Sequence, residues 1–133
     1  MKKLIISGFM LLCTCCYTAF ASMLPANTLF QAPTMNVEGT ANSIVSKLDK
    51  SLFLTNAQKP KLLTIVTNYL KQKLIVQPLQ QSNLAAYNTK LNSMQHGLQI
   101  KLKPLLTLTQ YTEYMGLKPK SYDETNILSQ LYY

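Results

Sequence analysis

The chain has 133 residues with thirteen basic and five acidic side chains, a formal net charge of +8. This length predicts a single domain. All thirteen basic residues are lysines, so the chain lacks arginine, the usual bidentate reader of phosphates and base edges, which argues against a nucleic-acid partner.

The first 21 residues have the layout of a secretory signal. Lys2 and Lys3 precede an apolar run through residue 20, and Ala19-Phe20-Ala21 is a small-x-small cleavage pattern. The run is short for a membrane-spanning helix. We therefore predict that residues 1–21 are a cleaved signal peptide and that the protein is exported, either to the periplasm or as a secreted or envelope-anchored protein.

The three cysteines, Cys13, Cys15 and Cys16, all lie within this predicted signal. None follows the small residue that lipid attachment requires, so lipidation is not expected. The mature chain would have no disulfide, thiolate nucleophile or cysteine metal ligand. It must then be held together by its core, with or without a partner chain.

Residues 22–35 contain Pro25 and Pro33 and show no hydrophobic period, which predicts a flexible arm. From about Asn36, apolar residues recur at three- and four-residue steps, which predicts a helix ending at Phe53 and Leu54. Its apolar face consists of Ala41, Ile44, Val45, Leu48 and Leu52.

A second helix should begin at Thr55, whose hydroxyl can cap it while Gln58 reaches back to the cap. Pro78 should end it, and residues 80–83 should form a polar connection. The predicted apolar face is Leu62, Val66, Tyr69, Leu70 and Leu74.

The third predicted helix has the most regular hydrophobic pattern in the chain. Its opposite face is polar and basic, and Pro104 should end or bend the helix. Its apolar residues average 3.6 residues per turn: Tyr87, Leu91, Met94, Leu98, Leu102 and Leu105.

Thr107 and Gln110 repeat the capping pattern and predict a short helix that stops at Gly116 in a left-handed conformation. Residues 121–124 form a further capping box, which predicts a C-terminal helical tail over residues 121–133. No segment alternates with period two. We therefore predict an all-α fold of about four to five helices, with a helical domain over residues 36–120 and the tail beyond it.

No acidic residue lies between Asp49 and Glu113, whereas lysines recur throughout that stretch. This pattern indicates a positive face, which serves either solubility or attraction to acidic partners. The candidate partner-binding residues, all expected to be exposed, are Lys71, Lys73, Lys101 and Lys103.

A helical hairpin is too thin to bury every apolar side chain. We therefore expect some of its large apolar side chains to stay exposed, where they could bind partners or form a homodimer. The candidates are Ile65, Leu70, Ile75, Ile100 and Leu102.

The two caps belong to a repeated pentapeptide, Leu54-Thr55-Asn56-Ala57-Gln58 and Leu106-Thr107-Leu108-Thr109-Gln110. Both fit L-T-x-x-Q. Two copies that flank a lysine-rich helical hairpin, after a signal sequence, resemble the Spy/CpxP family of periplasmic proteins. The resemblance covers roughly residues 40–117.

This resemblance implies a long bent helical hairpin, an antiparallel cradle-shaped dimer and a role in the envelope stress response. Members of the family act as ATP-independent chaperones or as regulators of a stress sensor. The resemblance also implies a structural role for Leu54, Thr55, Gln58, Leu106, Thr107 and Gln110. This chain differs from better-known members in having no arginine and in carrying the tail.

We expect no enzyme activity, metal or cofactor. His96, the single histidine, falls on the polar side of its helix and lacks companion ligands, and no carboxylate pair is suited to acid–base catalysis. The sequence thus favours a periplasmic chaperone-like or stress-adaptor protein that binds non-native or acidic proteins. The alternative is a peripheral protein bound to the anionic envelope surface, or a secreted structural or interaction module using its lysine-rich face.

Overall fold

The computed structural model describes residues 36–133, so the predicted signal peptide (1–21) and flexible arm (22–35) lie outside the described residues. Within residues 36–133 the chain forms six helices and no strand, which confirms the predicted all-α fold. The helices are α1 (Val37–Leu52), α2 (Gln58–Val76), α3 (Leu79–Ser82), α4 (Leu84–Leu102), α5 (Leu108–Gly116) and α6 (Ser129–Tyr132).

Helix α1 has a cap at each end. The Asn36 side chain accepts a hydrogen bond from the Gly39 N–H at 2.9 Å. A Cβ on Gly39 would lie 2.9–3.2 Å from that side chain, so this close approach favours glycine. The last residue of the helix is Leu52, and Phe53 follows it as a C-cap with a left-handed backbone (φ 50°). The Phe53 N–H donates to the Asp49 carbonyl at 2.9 Å. The predicted apolar face is buried: Ala41, Ile44, Val45, Leu48 and Leu52.

Helices α2 and α4 form an antiparallel hairpin. Ile65, early in α2, shares a groove with Leu98 near the end of α4, whereas Leu74, late in α2, lies near Leu91. Helix α2 ends just before Pro78, as predicted. The polar connection predicted at residues 80–83 is wrong in part, because Leu79–Ser82 forms the one-turn helix α3. Pro78 has a helical φ of −59°, and a proline at a helix start favours the turn that follows.

Two predictions about the C-terminal quarter were wrong. Gly116 is the last residue of α5 and has no positive φ, because the Leu117 N–H bonds the Glu113 and Tyr114 carbonyls in a right-handed conformation. The predicted capping box at residues 121–124 does not form either. Asp123 instead accepts hydrogen bonds from the backbone and hydroxyl of Thr125 in a local turn, and α6 begins only at Ser129.

The tail is part of the hydrophobic core. Leu128 and Leu131 are 2% and 1% exposed, and the Tyr132 ring stacks on Tyr114 at a centroid distance of 5.7 Å. The Tyr132 hydroxyl donates to the Tyr114 carbonyl at 2.8 Å. Complete burial of a leucine side chain is worth about 1.5–3 kcal/mol. The tail therefore contributes substantially to the stability of the helical domain.

Candidate functional site

The two L-T-x-x-Q motifs, 52 residues apart in sequence, lie against each other in the structure. The Gln58 amide nitrogen donates to the Leu105 carbonyl at 2.9 Å and to the Gln110 side-chain oxygen at 2.8 Å. The Gln110 amide nitrogen donates in turn to the Leu52 carbonyl at 3.1 Å and faces the Gln58 side-chain oxygen at 3.3 Å. We call this arrangement of the two motifs the paired-motif junction.

Each glutamine also caps its own motif. The Gln110 side-chain oxygen accepts from the Thr107 N–H at 3.0 Å, and the Thr107 hydroxyl accepts from the Gln110 N–H, which confirms the predicted capping box at the start of α5. Gln58 and Thr55 make the same two bonds. The predicted helix start at Thr55 is nevertheless early, because the regular helix begins at Gln58 after one turn.

The junction is structural in character. Its buried anchors, Leu54 and Leu106, are 6% and 7% exposed, and its polar atoms are neutral amides with hydrogen-bond partners. It ties the end of α1 and the start of α2 to the start of α5. Sequence analysis predicted both caps but missed the contact between them. A capping glutamine uses its side-chain oxygen locally and keeps two amide hydrogens free, which indicates a second partner but does not identify it.

The four candidate lysines do not form one exposed set. Lys71, Lys101 and Lys103 are exposed. Lys71 makes an ion pair with Glu38 at 3.3 Å, with both side chains more than half exposed. Such a surface pair contributes little to stability.

Lys73 differs from the other three, and its predicted exposure was wrong. Its ammonium group donates to the main-chain oxygens of Gln130, at 3.0 Å, and of Tyr133. Burial lowers the pKa of Lys73 from its ordinary value to about 8. Lys73 therefore holds the tail. No pattern in the sequence indicates this role, because the contact depends on tertiary packing.

Two further hairpin side chains bind the same stretch of tail. The Tyr69 hydroxyl donates to the Leu131 carbonyl at 3.0 Å, and the Gln95 amide donates to the Tyr132 carbonyl. Main-chain oxygens of residues 130–133 thus all accept from Tyr69, Lys73 or Gln95, a set that we call the tail anchor.

Several large apolar side chains of the hairpin are exposed, as predicted. Ile75 is 78% and Ile100 59% exposed, whereas Leu70 and Leu102 of the same predicted group are buried and Ile65 is half-buried. Ile100 is next in sequence to the exposed Lys101.

The hairpin carries two grooves. The smaller, of about 170 Å³, is lined by Ile65, Tyr69, Gln72, Ser93, Met94, Gly97, Leu98 and Lys101. The larger, of about 590 Å³, lies between the hairpin and the tail, and we call it the tail groove. It is lined by Leu70, Lys73, Leu74, Gln77, Gln80, Tyr87, Leu91, Tyr122, Gln130 and Tyr133.

His96 is exposed, and residues 36–133 contain no group of three or more His, Cys, Asp or Glu side chains placed to hold a metal ion. No helix in this part of the chain combines the length and hydrophobicity needed to cross a bilayer.

Comparison with known proteins found no matching family model, curated protein or solved structure. The resemblance to the Spy/CpxP family therefore rests on the two motifs and their setting in the sequence, and it stays a prediction.

Proposed function

We propose that this protein is a periplasmic, ATP-independent chaperone-like or envelope-stress adaptor protein that binds non-native or acidic proteins. The observation that carries the proposal is that the hairpin exposes two large apolar side chains, Ile75 and Ile100, as well as the lysines Lys71 and Lys101. The paired motifs support it through their resemblance to the Spy/CpxP family.

The chemistry of these side chains suits weak, reversible binding. Lysines attract acidic segments from a distance and raise the rate of encounter. Isolated apolar side chains then add contact energy without needing a defined partner sequence. A non-native protein offers both acidic segments and exposed apolar side chains, whereas a folded partner exposes few of the latter.

The test is suppression of aggregation of a denatured acidic protein by the mature chain, without ATP. Two variants separate the contributions: Lys71, Lys101 and Lys103 changed together to Gln, and Ile75 and Ile100 changed together to Ser. We expect the lysine variant to associate more slowly and to lose its salt dependence, and the isoleucine variant to dissociate faster. Lys73 is excluded because it holds the tail.

The matched control changes Lys118 and Lys120 to Gln, since these lysines lie outside the hairpin. It should behave as the unaltered protein does. Absence of any suppression by the unaltered chain would refute the chaperone-like role. Equal losses in the control and in the hairpin lysine variant would show that net charge alone acts. Binding to anionic vesicles but not to denatured protein would instead support the envelope-surface alternative.

A further inference from the structure

The most exposed large apolar side chains of residues 36–133 lie at the paired-motif junction. Phe53 is 84% and Leu108 is 83% exposed. Their backbones are neighbours, because the Gln110 amide nitrogen lies 3.4 Å from the Phe53 carbonyl oxygen and Gln110 is only two residues from Leu108. We call Phe53 and Leu108 the junction tip. It lies at the end of the molecule where α1 and α4 end and α2 and α5 begin.

Phe53 is also held in an unfavourable backbone conformation. Among residues 36–133 it is the one residue other than glycine that has a positive φ, of 50°. The left-handed region disfavours a bulky side chain, and glycine or asparagine is the usual residue in this conformation at a helix end. Burial of the ring within the described chain does not offset this strain, because the ring is exposed. A phenylalanine here therefore suits contact with something outside the chain.

The charge near the junction tip is mostly positive. Residues 49–61 and 101–113, which contain the two motifs and their approaches, carry five lysines and two acids. One of the acids, Asp49, is already paired with a lysine at 2.8 Å. Lys50, in the last turn of α1, and Lys103, which directly follows α4, are exposed. Protruding apolar side chains accompanied by lysines are complementary to a surface that is anionic outside and apolar beneath.

We propose that the junction tip docks the protein on an anionic lipid bilayer. Phe53 and Leu108 enter the boundary between the head groups and the acyl chains, and Lys50 and Lys103 face the lipid phosphates. The binding is weak and reversible, because two side chains bury little apolar surface. The docking does not rest on the proposed function, since that function uses exposed side chains of the hairpin, such as Ile75.

The protrusion of the tip favours a bilayer over a folded protein partner. Leu54 and Leu106, the leucines of the two motifs, are 6% and 7% exposed, and Thr107 and Thr109 beside Leu108 are exposed and polar. The tip therefore consists of single apolar side chains rather than a continuous apolar patch. A folded partner would need a pocket matched to each of these side chains, whereas the head-group region of a bilayer adapts to them.

The first test is co-sedimentation of the mature chain with vesicles of phosphatidylcholine and phosphatidylglycerol, in parallel with vesicles of phosphatidylcholine alone. We expect binding to the anionic vesicles that weakens as salt increases, and binding at least about tenfold weaker to the neutral ones. Changing Phe53 and Leu108 together to Asn should weaken binding about tenfold or more. Changing Ile75 and Ile100 together to Asn is the matched control and should leave it unchanged. Equal losses in the two double variants would overturn the proposal, as would equal binding to both kinds of vesicle.

Two further variants separate docking from structure. Asparagine tolerates the left-handed backbone, so Phe53→Asn should keep or raise the melting temperature while weakening vesicle binding. A lower melting temperature would assign the ring a structural role and contradict the proposal. Changing Lys50 and Lys103 together to Gln should weaken binding about fivefold per lysine, whereas the same change at Lys118 and Lys120 should have a smaller effect. Equal effects of the two lysine pairs would mean that net charge alone attracts the vesicles.

The second test follows insertion directly. The chain contains no tryptophan, so a single introduced indole reports its own surroundings. Fluorescence of Phe53→Trp should shift to shorter wavelength on addition of the anionic vesicles, whereas that of Ile75→Trp should not. An equal shift in both variants, or no shift at position 53, would overturn the proposal. If the unaltered chain bound no vesicles and the Asn variant of the tip lost aggregation suppression, the tip would bind protein rather than lipid.

Discussion

The paired-motif junction and the tail anchor perform the same task by different chemistry. Both hold a distant segment to the helices by hydrogen bonds from side chains to main-chain oxygens. In the junction the donors are two neutral amides, Gln58 and Gln110, that also bond each other. In the tail anchor the donors are Tyr69, Lys73 and Gln95, of which one is a cation partly removed from water.

This difference determines how each region depends on its surroundings. Paired amides satisfy one another and do not titrate, so the junction should be insensitive to pH. The tail anchor contains the Lys73 ammonium group and the buried phenol of Tyr69, and it lies beside the buried Tyr114 and Tyr132, so its stability depends on protonation. It is also the region that borders the tail groove.

The largest expected effect is on the apolar side of the tail. Leu131→Ala removes a side chain that is 1% exposed and should lower the free energy of unfolding by about 2–5 kcal/mol. Leu108→Ala, at a site 83% exposed, is the matched control and should change it by less than about 0.5 kcal/mol. Urea denaturation followed by circular dichroism measures both. Similar midpoints for the two variants would show that the tail is not part of the cooperative core.

The next effect concerns the junction. Gln110→Glu replaces a donor with a carboxylate oxygen facing the Leu52 carbonyl and the Gln58 side-chain oxygen. It should destabilise the protein by about 1–3 kcal/mol at pH 7, the usual penalty for an unsatisfied buried polar group, and by less at a pH where the new carboxyl is protonated. Gln72→Glu, on the exposed side of α2, serves as the control. Equal stability of the two variants would contradict the reciprocal amide pairing.

A smaller effect is expected at the caps. Thr107→Ala and Thr55→Ala should each cost about 1 kcal/mol, because each removes an acceptor for the third residue along the chain. Thr109→Ala, at an exposed position in the first turn of α5, is the control and should be close to neutral. Thermal denaturation of the three alanine variants measures the difference in their melting temperatures. If all three alanine variants melt together, the threonine hydroxyls do not stabilise the helix starts.

The same regions show which structural features could be predicted from the sequence and which could not. The faces of α1, α2 and α4 were predictable because hydrophobic period and prolines are local signals, and Thr107 was predictable because a capping box spans four residues. The contact between Gln58 and Gln110 spans 52 residues, and the anchoring of the tail by Lys73 spans 57. No local pattern reports such contacts. A lysine that holds the tail has the same sequence context as one that faces water.

The tail was the least predictable element for a related reason. Residues 121–124 fit a capping box in sequence, yet Asp123 bonds Thr125 two residues on, and the Asp123 N–H donates to the Ser129 hydroxyl. Short polar side chains have several local hydrogen-bonding options of similar energy. Burial of Leu128 and Leu131 against the hairpin selects among them, and that choice depends on tertiary structure.

The tail anchor should also make the stability of the protein depend on pH. Burial lowers the pKa of Lys73 to about 8 in the folded protein, below the ordinary value of 10.5. Between these values the unfolded chain binds more protons, so the free energy of unfolding should rise as pH increases from 8 towards 10. Burial raises the pKa of Tyr132 to about 12 and also raises those of Tyr69 and Tyr114. These phenols ionise near pH 10 in the unfolded chain but stay protonated in the folded one, so stability should fall above pH 10.

Stability should therefore pass through a maximum near pH 10, measured as urea midpoints from pH 7 to 11. Lys73→Met should remove the rise and keep the fall, whereas Lys71→Met, at an exposed ion pair, should keep both. Tyr132→Phe should weaken the fall and leave the rise. A flat profile from pH 8 to 10 in the unaltered protein would mean that the oxygens of Gln130 and Tyr133 compensate the ammonium group fully. Because the junction contains no titrating group, Gln58→Ala should lower the whole profile without changing its shape, which separates the two regions by experiment.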